Sequence, residues 1–148
     1  MDLTDAGAFV LDGKALVAGE AVGLLLVASQ PLSFWGGYDS VTGEIIDRRH
    51  PLSGSNGRGQ VLAIPSTRGS STTTAVLLEA IRSGTAPAAI LTSEVDAFLA
   101  LASIVADEMY GTPLPVVALG SSDFERLRSG ARATIERSGR VSIDRLTV

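Results

Sequence analysis

The sequence predicts an α/β domain, and three observations lead there. Three short apolar runs, Val61 to Ile64, Ala88 to Leu91 and Val116 to Leu119, alternate with two stretches of helical periodicity, the pattern of βαβ units around a parallel sheet. The first third carries β-prone runs broken by glycine and proline. The length of 148 residues, with 45% hydrophobic and 19% charged side chains, suits one domain that can bury a core without staples. The expected organisation is a single domain, 1–148, with an N-terminal β part at about 8–58, a βαβαβ part at about 59–119 and return strands at about 131–146.

In chain order, Ala8-Phe9-Val10 leads into Asp12-Gly13, a two-residue turn signal, and Lys14 to Ala18 resumes an extended pattern. The expectation is a hairpin. Ala21 to Ala28 is a β-prone apolar run ended by Gln30-Pro31, read as a buried strand. Pro31 to Asp39 gathers three of the seven aromatics, Phe34, Trp35 and Tyr38, around Gly36-Gly37. No helical or strand period fits it, so it is a loop that either covers one end of the core or offers Phe34 and Trp35 as a partner contact or site rim. Val41-Thr42-Gly43 makes a turn, Glu44 to Asp47 a short extended segment, and Arg48 to Arg58 a loop rich in Ser and Gly.

The first helical pattern, about Ala75 to Arg82, presents Leu77, Ala80 and Ile81 on one side and stops at Gly84, with Pro87 preventing its return. The second is expected to begin at Ser93, with Asp96 three residues on, and to carry Val95, Phe98, Leu99, Ala102 and Val105 on its buried stripe. Ser122 to Arg128 can form one or two helical turns, and Ala133 to Glu136 and Val141 to Asp144 return as strands around Ser138-Gly139.

Composition narrows the chemistry. The net charge of −4 and twelve scattered basic residues, one of them Lys14 and the rest Arg, are a poor footprint for nucleic acid. The longest apolar stretch is too short to span a bilayer, and Met1 to Asp5 is acidic rather than a basic leader, so no membrane partner and a cytoplasmic setting are expected. With no cysteine there is no disulfide, thiolate metal site or thiol nucleophile, and any iron–sulfur chemistry must be held by another chain. The single histidine, His50, has no ligand cluster around it and reads as a loop residue.

The stretch that joins the first parallel strand to the first helix is Pro65-Ser66-Thr67-Arg68-Gly69-Ser70-Ser71-Thr72. A glycine and hydroxyls at a helix start suit an ordinary N-cap, and they equally suit an anion, because the first helical N–H groups have no internal partner. Arg68 adds a planar guanidinium fork, and ligands of open α/β sheets bind beyond the carboxyl ends of strands, where this turn lies. The turn lacks the Gly-x-Ser-x-Gly elbow of a hydrolase and the Gly-Lys-[Ser/Thr] of a phosphate loop.

These residues, in their order, resemble the small subunit, or swivel domain, of the aconitase X group of hydro-lyases. The resemblance rests on Pro31 to Asp39, on Thr42 to Asp47 with His50-Pro51-Leu52-Ser53-Gly54, and on Gly59 to Pro65 running into Arg68-Gly69-Ser70-Ser71. It implies a swivelling β/β/α three-layer domain similar to that of aconitase, acting beside a large catalytic subunit that carries iron or an iron–sulfur cluster, with no cofactor on this chain. It implies Ser70 as the base that abstracts a proton, with Arg68, Gly69 and Ser71 binding substrate. Thr72 stands where the aconitase turn has an arginine. The implied activity is dehydration of a small hydroxylated carboxylate, with cis-3-hydroxy-L-proline going to Δ1-pyrroline-2-carboxylate. The alternative is mevalonate 5-phosphate, less favoured because only Arg68 and the Arg48-Arg49 pair could meet a phosphate. A reading of another class is a non-catalytic module that binds an anion or a partner. On the hydro-lyase reading the chain is inactive without its large subunit.

Overall fold

The computed structural model describes residues 8–68 and 72–144. Its elements are β1 (Phe9–Asp12), β2 (Lys14–Val17), β3 (Ala21–Val27), β4 (Val61–Ala63), α1 (Thr72–Ser83), β5 (Ala89–Thr92), α2 (Ala97–Tyr110), β6 (Val116–Ala118), α3 (Ser121–Phe124), β7 (Arg132–Ile135) and β8 (Arg140–Asp144). They build one eight-stranded sheet in the order β1-β8-β7-β3-β4-β5-β6-β2. Strands β3 to β6 run parallel, and the remaining pairings are antiparallel.

The two ends of that order are consecutive strands, so the sheet curls into a near-barrel and the expected hairpin does not form. β1 pairs with β8, Phe9 opposite Ile143, whereas β2 pairs with β6, Lys14 opposite Ala118. Gly13 is the corner between them. A Cβ there would lie 2.4 Å from Val117 Cγ1 and 3.0 Å from the Gly139 carbonyl, and the Gly13 N–H donates to that carbonyl at 3.0 Å. The glycine that reads as a hairpin turn is instead required because the backbone passes too close to its neighbours for any side chain.

Period-two alternation in β4, β5 and β6 sorts side chains into two cores. Val61, Ala63, Ala89, Leu91 and Val117 point into the barrel, where they meet Leu11, Leu25, Ala133, Ile135, Val141 and Ile143. Leu62, Ile64, Ile90 and Val116 point outward against Leu77, Ala80, Leu99 and Ala102 of the two long helices. The result is three layers, β/β/α. Each fully buried Leu or Ile contributes about 1.5–3 kcal/mol from area removed from water.

α1 buries Thr73, Leu77 and Ala80, four and three residues apart. It ends as expected at Gly84, whose φ is +76°. The N–H groups of Gly84 and Thr85 donate back to Ile81 and Ala80 at 3.2 and 2.9 Å, which closes the last turn. α2 starts later than its sequence suggests. Asp96 is itself the N-cap and accepts the N–H groups of Phe98 and Leu99, both at 3.1 Å. The buried stripe is therefore Leu99, Ala102, Ser103 and Ala106, and Val95 and Phe98, expected inside, are exposed. No helix among the described residues is long and apolar enough to cross a membrane.

Candidate functional site

The carboxyl ends of β3, β4 and β5 lie side by side, because these strands are parallel neighbours. Three connections leave from that end: Gln30 to Leu32 after β3, Pro65 to Arg68 after β4, and Ser93 to Asp96 after β5. Backbone bonds lace them together. Leu32 N–H donates to Ser66 at 3.3 Å, Arg68 N–H to Leu32 at 3.0 Å, and Ser93 N–H to Pro65 at 3.1 Å.

The buried carboxylate of Asp96 completes this lacing. Its Oδ2 accepts the Thr67 N–H at 2.7 Å and the Thr67 hydroxyl at 2.6 Å, while Oδ1 caps α2. Four donors to one carboxylate satisfy the hydrogen-bonding needs of its buried oxygens. One side chain thus fixes the start of α2 and the turn that leads into α1.

The long excursion between β3 and β4 runs along the helix-side core from this end to the amino end of β4. Tyr38 donates its hydroxyl to the Thr85 carbonyl at 2.6 Å and tilts against Phe34, ring centres 5.1 Å apart. Burial pushes the Tyr38 phenol well above its ordinary value. Phe34 has no exposed surface, so its ring belongs to the helix-side core and cannot meet a partner or rim a site. Its neighbour Trp35 is 67% exposed.

His50 is buried and both of its ring nitrogens are occupied. Nδ1 accepts the Leu52 N–H at 3.1 Å, which leaves Nε2 to donate to the Gln30 carbonyl at 3.2 Å. The ring ties the returning loop to the end of β3, the structural role that its lone occurrence suggests.

Between these loops opens a cleft of about 270 Å³ lined by Gln30, Pro31, Asp47, Arg49, His50 and Arg68. It brings Arg68, singled out from the sequence, together with Arg49 from a loop nineteen positions earlier. Gly69, Ser70 and Ser71 lie outside the described residues; Arg68 immediately precedes them and Thr72 opens α1 after them. Sequence reasoning missed Gln30, Asp47 and Asp96. Only Asp96 left a signal, a carboxylate just ahead of a helical pattern. The Asp47 Oδ1 accepts the Arg49 N–H at 2.9 Å, a local turn that sets where Arg49 leaves the backbone. No group of three His, Cys, Asp or Glu able to hold a metal occurs among the described residues.

A sequence model of the aconitase X swivel domain matches residues 10–143, both walls of the cleft included, and the chain belongs to that family. Among characterised relatives it is 50% identical, over 132 residues, to a protein of Pseudomonas aeruginosa named cis-3-hydroxy-L-proline dehydratase. Those residues are 89% of this chain and 22% of the Pseudomonas protein, so the chain spans about a fifth of that relative. It is 40% identical over 114 residues to the phosphomevalonate dehydratase small subunit of Methanothermobacter thermautotrophicus, covering 77% of this chain and 82% of that one. The crystal structure of Thermococcus kodakaraensis aconitase X in its holo form superposes with a TM-score of 0.82 at 30% identity, covering 91% of this chain and 98% of that chain.

Proposed function

We propose that this chain is the swivel unit of an aconitase X hydro-lyase that dehydrates cis-3-hydroxy-L-proline to Δ1-pyrroline-2-carboxylate, working with a larger catalytic unit on a separate chain in the cytoplasm. The observation that carries the reading is a charged cleft at the carboxyl ends of β3 and β4 in a chain 50% identical to a protein of that name. In this proposal Ser70 takes the proton from Cα, aided by the start of α1 and by Arg68, which favour a negative oxygen. The Cα–H pair becomes the new C2=C3 bond as the C3–OH bond breaks and water departs. The resulting enamine takes up a proton at C3 and gives up its N–H proton, which leaves the imine. Gly69 and Ser71 flank the base, and Trp35 is the contact offered to the large unit.

Iron or an iron–sulfur cluster is part of the proposal only on the large unit. The residues here do not fit it, since the sequence has no cysteine and the described residues have no metal-binding group. A second reading, mevalonate 5-phosphate as substrate, draws support from the 40% identity to an archaeal small subunit. The charged groups of the cleft are two arginines and one aspartate, which suits a zwitterionic amino acid better than a substrate with both carboxylate and phosphate.

The test is co-expression with the large aconitase X unit and parallel assay of both substrates. Turnover of cis-3-hydroxy-L-proline is expected. Ser70→Ala should then lower kcat by roughly 10²–10⁴, the usual contribution of a positioned base, with the complex intact on gel filtration. Retained activity would remove Ser70 as the base, and a chain that neither assembles nor supports turnover would be a binding module.

A further inference from the structure

We propose that Arg49 and Arg68 together form the subsite for the substrate's carboxylate, with Asp47 as the residue that positions Arg49. The proposal rests on the dehydratase reading and adds to it where the substrate is gripped. Of the six residues around the cleft, Gln30 and Pro31 supply wall and a carbonyl already used by His50. His50 has both nitrogens engaged, so it has neither a free lone pair nor a free proton for a ligand. What remains are the Gln30 amide, the Asp47 carboxylate and two guanidiniums, and of these only the guanidiniums carry the positive charge a carboxylate needs. Among the described residues the ion pairs are Arg82 with Glu79 and Arg140 with Asp12, so neither cleft arginine is neutralised by a carboxylate.

The two cations come from different loops, Arg49 from the returning loop and Arg68 from the turn after β4, and line the same cleft. Arg68 stands two positions before Ser70 in the sequence, the residue proposed as the base. A guanidinium offers paired N–H donors in the geometry of a carboxylate, and two of them can divide its two oxygens. Removing a proton from Cα pushes charge into that carboxylate, so a clamp of this kind stabilises the transition state more than the bound substrate. The volume of about 270 Å³ lies below the range of roughly 300–1,000 Å³ common for drug-sized ligands, as a small ring acid requires. Asp47 takes part through the backbone, because its carboxylate accepts the Arg49 N–H.

The experiment uses the assembled complex and two unreactive probes, L-proline and L-prolinamide, which differ only in the carboxylate, with binding read by calorimetry. Wild type should bind L-proline well above the amide. Arg49→Gln and Arg68→Gln should each weaken L-proline about tenfold or more and leave the amide unchanged, with Arg49→Lys in between. With cis-3-hydroxy-L-proline the same variants should raise KM and lower kcat together. Asp47→Asn should give a smaller loss in the same direction. Arg137→Gln, in the exposed turn between β7 and β8 and outside the cleft, should change nothing. Equal L-proline affinity in wild type and Arg49→Gln would overturn the clamp, as would failure of wild type to prefer the acid. Neither outcome touches the dehydratase reading, which stands or falls on turnover by wild type. If turnover is absent while L-proline binding depends on Arg49, the clamp holds and the reaction was misassigned.

Discussion

The molecule has a cleft at each end of its parallel strands, similar in size and opposite in character. At the carboxyl ends, about 270 Å³ is bounded by Asp47, Arg49, His50 and Arg68. At the amino ends, about 230 Å³ is bounded by Ile81, Gly84, Ala86, Pro87, Ala88, Thr112, Pro113 and Leu114, with no charged side chain among them. The difference follows from how the chain turns at each end. At the amino end, α1 and α2 stop in tight turns at Gly84 and Gly111, both in the left-handed region, and run straight into the next strand. At the carboxyl end, the chain leaves β3 on a long excursion, Ala28 to Gln60, that crosses to the amino end of β4 and needs its own anchors. The two clefts differ little in size, and what sets them apart is charge held by anchored loops.

If that is right, cutting an anchor of the excursion should matter and trimming a side chain of the apolar cleft should not. The largest effect is expected from Phe34→Ala, which empties the core beneath the excursion and should cost about 3–5 kcal/mol, read as a lower urea midpoint. Asp96→Ala strands the two Thr67 donors and uncaps α2, for about 2–3 kcal/mol; Asp96→Asn, which keeps one acceptor oxygen, should lose less. Similar losses in both would show that the shared carboxylate is not what joins the two elements.

Tyr38→Phe should cost about 1 kcal/mol at neutral pH, the usual worth of a hydrogen bond. It also carries a pH signature. The folded phenol titrates above its unfolded value near 10, so the protonated form is favoured by folding. That stability is complete below about pH 10 and is lost as pH rises above it. Between about pH 9.5 and 11 the wild type should therefore lose more stability than Tyr38→Phe, seen as a narrowing gap in urea midpoints. The smallest effect is expected from Thr112→Ala in the apolar cleft, within about 0.5 kcal/mol and with turnover of the complex unchanged. A clear loss of turnover there would break the contrast between the two ends.

Much of this was legible in the sequence because local chemistry decided it. The runs that became β4, β5 and β6 are apolar on both faces, as strands sandwiched between a barrel interior and two helices must be. Gly84 and Pro87 marked the stop of α1 for the reasons the structure shows. The turn after β4 stood out from Arg68 and its position at a strand end, and Arg68 does line the charged cleft. What stayed hidden was decided by tertiary contact. Gln30, Asp47 and Arg49 share no period with Arg68, and only the folding back of the excursion places them around one space. Val95 and Phe98 fit a helical stripe, but Val95 precedes the cap and Phe98 lies in the exposed first turn. Asp12-Gly13 signals a hairpin by composition, and its glycine answers a different demand.

That corner at Gly13 has a consequence for how the protein comes apart. Since β1 borrows its partner from β8 and β2 from β6, the earliest strands of the chain can be paired only when the latest ones have been placed. Opening the corner would uncover both seams at once, so β1 and β2 should exchange their amide hydrogens through global unfolding rather than by fraying from one end. A segment that looks peripheral in sequence is then the latch of the whole sheet, and any side chain at Gly13 would spring it.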